Sequence, residues 1–201
     1  MDTMVGRDFP FMNIYWFLDK ISRNSVELAL SDPLAYLGPA ETIYYTGLKF
    51  HKRRTEWVGA RLAVKDLVRE VDKRYSDMDI KRIEILNEGT GAPRLVINGK
   101  PSHLGCISIS HSNGNVFCAY SANKVNFGVD LELIETRAME FVEDYFTQNE
   151  VKQVQSALQE KRSELITIIW SAKEAVLKAL LLGLSLDTRQ IEVQVIPNQN
   201  K

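Results

Sequence analysis

Apolar side chains recur every three to four positions from residue 53 to residue 74, at Trp57, Ala60, Val64, Leu67, Val68 and Val71, with Arg61 on the same stripe. That spacing predicts a long helix that buries one face. A second long helix followed by strand is read over 140–182. Between the two, strand patterns take over: 80–86 and 94–97 read as strands joined by the turn-rich segment Asn87-Glu88-Gly89-Thr90-Gly91-Ala92-Pro93. No Gly-Lys-Ser/Thr and no helix follows those glycines, so they predict a hairpin loop and not a phosphate loop. Residues 106–112 and 116–120 flank Asn113-Gly114, a hairpin signal. The run 125–133 comes next and is expected to pair in the same antiparallel sheet, because sequential strands usually neighbour one another. Residues 191–196 read as one more strand, whereas 1–24 holds Phe9, Phe11, Ile14, Tyr15, Trp16, Phe17 and Leu18 without a clean alternation.

Two short segments carry the chemistry. Asp130 and Glu132 are two apart in a strand-like run and share a face. Glu174 and Lys178 are four apart on a helix and lie one turn from each other. Singly, the first is ordinary solvated charge and the second an ordinary weak surface pair. Together they offer three hard carboxylates to Mg²⁺, which keeps several waters and takes one or two carboxylates plus phosphate oxygens. In the hairpin, alternation puts Ser108, Ser110 and Ser112 on one face and Ile107, Ile109 and His111 on the other, with the turn free to rotate the last residues. A histidine there serves equally as a structural hydrogen-bonding group or as a ligand contact.

Five segments in order, Gly99-Lys100-Pro101, Ser108-Ile109-Ser110-His111-Ser112, Gly128-Val129-Asp130-Leu131-Glu132, Tyr145-Phe146-Thr147-Gln148-Asn149-Glu150 and Trp170-Ser171-Ala172-Lys173-Glu174-Ala175-Val176-Leu177-Lys178, make the chain resemble the 4′-phosphopantetheinyl transferases of the Sfp type over residues 35–195. His51-Lys52-Arg53-Arg54 and Trp57-Val58-Gly59-Ala60-Arg61 resemble the family's N-terminal helix. The resemblance implies an α+β fold of two similar halves related by a pseudo-twofold, here 35–122 and 123–201 of a single unit, with coenzyme A in the cleft between them. It implies transfer of the phosphopantetheine arm of coenzyme A to a serine of an apo acyl or peptidyl carrier protein, releasing adenosine 3′,5′-bisphosphate. Carried over, Asp130, Glu132 and Glu174 would bind Mg²⁺ or Mn²⁺. Lys178 would contact the pyrophosphate, with Lys173 also on the coenzyme. Lys100, Ser110 and His111 would hold coenzyme phosphates, with Arg53 or Arg54 on the 3′-phosphate. Glu150 would take the serine proton directly or through water, a role equally open to Glu132 or bound water. The competing readings are a catalytically silent carrier-binding module of the same fold and another Mg²⁺-dependent phosphotransferase or nucleotide hydrolase. Two departures stand out: Ser108 occupies a position where the family often has Asn, and the chain stops soon after 191–196. A compact variant or a domain cut from a longer synthase would account for the second.

Composition narrows this further. At 201 residues and 45% hydrophobic content the chain has enough for an ordinary core. A net charge of −1 argues against a general nucleic-acid binder. Cys106 and Cys118 fall in facing hairpin strands and are expected to be free thiols in a reducing, cytoplasmic compartment. No run approaches the roughly 18 apolar residues of a membrane span, so no membrane partner is expected. For the acceptor, Lys152, Lys161 and Arg162 form a candidate basic patch, with apolar contacts around Phe141, Val142, Tyr145 and Phe146 as the alternative.

Overall fold

The computed structural model describes residues 4–8, 13–21, 23–89, 91–181 and 185–196. Two strands, β1 (Met4–Asp8) and β2 (Ile14–Lys20), lead through α1 (Asn24–Ser31), α2 (Pro33–Tyr36) and α3 (Pro39–Thr46) to the long α4 (His51–Val71). A 3-10 turn (Ile80–Arg82) precedes β3 (Ile83–Asn87), β4 (Pro93–Ile97), β5 (Lys100–Pro101), β6 (Cys106–Ser112) and β7 (Asn115–Ser121). Helices α5 (Met139–Tyr145), α6 (Gln148–Ser156) and α7 (Gln159–Leu180) follow, then a second 3-10 turn (Thr188–Gln190). The fold is α+β, with two antiparallel sheets ordered β1-β2-β7-β6 and β3-β4-β5.

The α4 stripe behaves as its period predicts: Ala60, Ala63, Val64, Leu67 and Val68 pack with Ile83, Ile85, Val116, Cys118 and Tyr120 in one core. The β6–β7 hairpin forms as expected. Asn113 and Gly114 both take positive φ, 47° and 74°, the two-residue turn whose twist matches its strands. Both cysteines are free.

Four differences from the sequence expectations have local causes. First, β2 pairs β7 along its whole length. Its residues fail to alternate because Phe17 enters the core while Trp16, on the other face, packs edge-on to Phe117. Phe9 and Phe11 lie outside the described residues. Second, the strand read from residue 80 starts at Ile83, because Asp79 caps a 3-10 turn through its side-chain oxygen. Third, 125–133 and 191–196 join no ladder: their backbone groups are taken by side chains. The Val129 N–H donates to Ser108 Oγ at 3.0 Å, Lys178 donates to the Val129 carbonyl at 3.1 Å, and the Val193 N–H donates to Glu150 at 2.7 Å. Gly128 lies so close to α7 that a Cβ there would overlap the Ala175 carbonyl. Fourth, the helix read over 140–182 is three helices. Thr147 and Glu150 form a reciprocal capping box that starts α6, and extended backbone at Ala157 and Leu158 separates α6 from α7.

One device occurs twice. Glu41, third residue of α3, accepts from the Gly38 and Ile85 N–H groups and from Lys65, which also donates to the Tyr36 carbonyl. Glu150, third residue of α6, accepts from the Thr147 and Val193 N–H groups and from Lys173, which also donates to the Thr188 and Ile191 carbonyls. All four side chains are fully buried. Lys65 and Lys173 are 108 positions apart, as are Asp79 and Asp187, which cap the two 3-10 turns alike.

Candidate active site

The extended segment through Val129 is wedged between β6 and α7, and this brings Asp130, Ser110 and Lys178 together. Asp130 Oδ1 accepts from Ser110 Oγ at 2.9 Å and from Lys178 Nζ at 2.6 Å. Asp130 Oδ2 is buried and unpartnered. Glu132 accepts from Arg137 at 2.9 Å, and the guanidinium sits over the Phe141 ring. Glu174, one turn before Lys178 on α7, makes no hydrogen bond or ion pair among the described residues. Burial pushes its carboxyl up, Lys178 opposes, and the nearby charges of Asp130 and Glu132 add to the rise. The charges of Asp130 and Glu132 therefore both act on Glu174. The three carboxylates do not form a closed cage: among the described residues no group of three or more acidic, histidine or cysteine side chains is arranged to hold a metal ion. Lys178 pairs with Asp130 and Arg137 with Glu132.

Four expected contacts fall elsewhere. Glu150 is fully buried between the capping-box N–H groups and Lys173, with no path for a serine proton. Lys173, fully buried, spends its ammonium on Glu150 and two carbonyls and so cannot reach a coenzyme. Arg54 donates to the Leu48 carbonyl at 2.7 Å and covers the Tyr45 ring, which makes it a brace for the α3–α4 connection. Lys100 is exposed on β5 and is absent from the lining of the pocket that holds His111.

That pocket, about 170 Å³, is lined by Arg53, His111, Arg61, Trp57, Tyr44 and Asn87 among others. Arg61 donates to Asn87 Oδ1 at 2.8 Å and lies 4.3 Å over the Trp57 ring, itself stacked on Tyr44. Burial pulls the Arg61 guanidinium down to about 10, which leaves it cationic at neutral pH. Loss of hydration lowers the His111 imidazole, Glu56 opposes, and Arg53, Arg61 and Lys178 add to the fall. One ring thus feels cations from α4 on one side and from α7 on the other. Such a run of positive charge with an aromatic wall suits a phosphorylated ligand carrying a flat base. Arg61 was legible in the sequence only as an interruption of an apolar stripe, and Arg137 only as the first base after the acidic pair.

Residues 126–201 match the family model ACPS, the 4′-phosphopantetheinyl transferase superfamily. Over that stretch the chain resembles that superfamily. The match opens at the segment carrying Asp130 and Glu132 and runs through α7. The chain is 26% identical over 129 residues to the 4′-phosphopantetheinyl transferase Sfp of Bacillus subtilis, covering 64% of this chain and 55% of that protein. It is 33% identical over 101 residues to the 4′-phosphopantetheinyl transferase gsp of Aneurinibacillus migulanus, covering 47% and 41%. The chain spans about half the length of the curated relatives it matches. A holo-(acyl-carrier-protein) synthase from Bacillus anthracis aligns with a TM-score of 0.43 and 25% identity over 54% of this chain and 92% of that one. No helix among the described residues is long and apolar enough to cross a membrane.

Proposed function

We propose that the chain transfers the phosphopantetheine arm of coenzyme A to a serine of an apo acyl or peptidyl carrier protein, releasing adenosine 3′,5′-bisphosphate. The observation that carries this reading is a pocket lined by Arg53, Arg61 and His111 and walled by Trp57 stacked on Tyr44, on the same β6 strand whose Ser110 reaches the Asp130–Lys178 pair. A cationic run of that kind spans from a base-sized aromatic pocket to the acidic cluster, as a nucleotide with an attached pyrophosphate requires. The serine oxygen would attack the phosphorus bearing the pantetheine arm. The bond from that phosphorus to the bridging oxygen breaks, and the bisphosphate leaves with that oxygen. Little covalent help is needed from the protein, which must place the groups and neutralise charge. Arg53, Arg61 and His111 would hold the phosphates of the nucleotide. Lys178 would meet the leaving phosphate while keeping Asp130 in place. With Glu150 buried in its own ion pair, the serine proton would pass to Glu132 or to bound water, and Glu174, unpartnered among the described residues, is left to meet a cation.

The donor set fits Mg²⁺. Asp130 Oδ2 is a buried orphan and Glu174 is unpartnered, and both are the hard oxygens that this cation takes one or two at a time. Bound there, Mg²⁺ would offset charge on the pyrophosphate oxygens. The two halves, 35–122 and 123–201, would act as one transferase unit. The test is intact-protein mass spectrometry of apo carrier proteins incubated with the chain, coenzyme A and Mg²⁺. A phosphopantetheine adduct that disappears with EDTA is expected. Transfer at an unchanged rate in EDTA sinks the metal assignment, and absence of any adduct across acyl and peptidyl carriers sinks the activity.

A further inference from the structure

The two halves use the same helix face differently. In α4 the face made by Ala60, Val64 and Val68 packs in one core with Ile83, Ile85 and Leu95, which belong to β3 and β4. The offset of 108 that relates Lys65 to Lys173 and Asp79 to Asp187 carries those helix positions to Ile168, Ala172 and Val176 of α7. There the face is open: Ile168 is 44% and Val176 39% exposed, and Leu180, next in the same four-residue series, is 49% exposed. The same offset carries β3 to 191–195. The correspondence extends to a hydrogen bond, since the Ile85 N–H donates to Glu41 and the Val193 N–H to Glu150. In the first half β4 pairs with β3. In the second, 191–196 joins no ladder among the described residues. The Val193 and Val195 N–H groups turn inward to the Glu150 and Gln153 side chains, so alternation puts those of Glu192 and Gln194 on the outer edge. Because β4 both pairs with β3 and enters the core that α4 faces, the free strand edge and the open α7 stripe border one surface.

We propose that a second copy of this chain covers that surface, with 191–196 pairing antiparallel to its own copy across a twofold axis and α7 packing antiparallel on the α7 of the copy. The transferase reading is not needed for it. A twofold contact requires a surface complementary to itself, and both features have that property. An unpaired strand edge is a template for another strand, and antiparallel self-pairing satisfies its row of donors and acceptors with an identical row. On the helix, turning the series Ile168, Ala172, Val176, Leu180 end for end sets Ala172 against the partner's Val176 and Ile168 against the partner's Leu180. Rows of residues four apart are the ridges that interlock when helices pack, and the small Ala172 leaves room for the larger side chain opposite. Charge does not oppose the contact. Between Leu165 and Leu180 the charged residues are Lys173, Glu174 and Lys178. Lys173 is buried against Glu150, and Lys178 meets Asp130. Glu174 and Lys178 each follow a stripe residue by two positions, which on a helix puts them on the far side, so the acidic site stays open in the dimer. On the strand, Glu192 is held by Thr147 and Asn149.

The experiment uses the intact chain in multi-angle light scattering and equilibrium sedimentation from about 1 to about 100 μM, the range that reads interfaces of modest to standard affinity. A dimer is expected, with a Tm that rises with concentration because association stabilises the folded chain. Val176→Glu places a charge in the contact twice and should raise the dimer Kd about 100-fold or more. Gln194→Pro removes a donor from the free edge and should weaken the dimer as well. Leu34→Glu, at a position on α2 that is 67% exposed, should leave the dimer as it is. Hydrogen exchange on the wild type reads the same contact without any substitution, so the test does not depend on the variants folding: the Glu192 and Gln194 amides should exchange slowly in the dimer and faster on dilution. A wild type that stays monomeric across the range overturns the proposal. So does a dimer that survives both Val176→Glu and Gln194→Pro, or one in which the amides of residues 192 and 194 exchange at the same rate at every concentration, since the interface would then lie elsewhere.

Discussion

Lys65 is followed by Asp66, and Lys173, 108 positions on, is followed by Glu174. The two lysines do the same work in the two buried pairs, so the two carboxylates leave their helices in the same register. Burial pushes both of them up. Their counter-charges differ. Asp66 is met by Arg23 at 3.3 Å, and Arg23 also reaches Asp19 at 3.7 Å. Glu174 is left without an ion pair, because the lysine one turn away goes to Asp130 instead. The first half thus closes its acidic pair with an internal arginine and obtains a strut. The second withholds the counter-ion and obtains a carboxylate free to take a cation. The contrast lies in which base points where, beside a buried lysine–glutamate pair that occurs in both places.

The largest expected effects test whether the scaffold is in fact the same in both halves. Lys65→Met and Lys173→Met each strand a buried glutamate, and breaking a buried pair from one side costs about 3–5 kcal/mol. Urea unfolding should give similar losses for the two. Folded Lys173→Met protein, held at low temperature, should keep the wild-type KM for coenzyme A, because its ammonium is occupied by Glu150 and two carbonyls. If stability were unchanged and coenzyme binding were lost, Lys173 would be a coenzyme contact after all.

Next in size is the pair Glu174→Gln and Asp66→Asn, which separates site from strut. Glu174→Gln should lower kcat about 100-fold, the scale of removing one group that acts on charge in the transition state, with little change in Tm. Asp66→Asn should leave kcat alone and cost about 1–3 kcal/mol, since Arg23 then loses a charged acceptor. Equal kinetic losses from both would mean that the two halves are functionally equivalent, against the contrast drawn above.

The features legible in the sequence were those set by local period. Asn113-Gly114 announced its hairpin, and the spacing of Glu174 and Lys178 put both on one helix face. Asp130 met Lys178 through a segment that was read as a strand. The expected ladder is absent because Ser108 and Lys178 satisfy the Val129 backbone that it would have used. Glu150 and Lys173 were misread because a buried and a reactive carboxylate have the same letter. The signal that separates them was present: Thr147-x-x-Glu150 is a capping box, which turns the glutamate back onto its own helix start. Arg61 was hidden by its position on a core stripe, where its stem packs with the apolar residues and only the guanidinium reaches the pocket.

Arg61 and Lys178 sharpen the comparison from the ligand's side, one cation from each half. Arg61→Met should raise the KM for coenzyme A about tenfold while leaving kcat within about twofold, the expectation for a group that binds ground state and transition state alike. Lys178→Met should mainly lower kcat. Should Arg61→Met lower kcat and spare the KM, the pocket on α4 would belong to the chemistry and not to nucleotide binding.

The smallest effect lies at His111 on β6. In the free protein its pKa lies below 6.5, because loss of hydration and then Arg53, Arg61 and Lys178 disfavour the imidazolium, with Glu56 opposing. Phosphates bound among those cations reverse the sign of the local field and raise the pKa. Between the lowered free value and the raised bound value, binding must take up protons, so affinity for coenzyme A should tighten as pH falls from about 8 toward 6. A one-unit difference would amount to about tenfold. Calorimetry near pH 6 in buffers of different ionisation enthalpy measures the uptake directly. The 3′-phosphate titrates in the same range and, held by cations, releases protons, so the decisive quantity is the difference between wild type and His111→Asn. That difference should be an uptake of part of one proton, present in wild type and absent in the variant. A difference of zero would place His111 outside the phosphate field of both halves, and a net release would mean that the ring meets a cation and not an anion when the coenzyme binds.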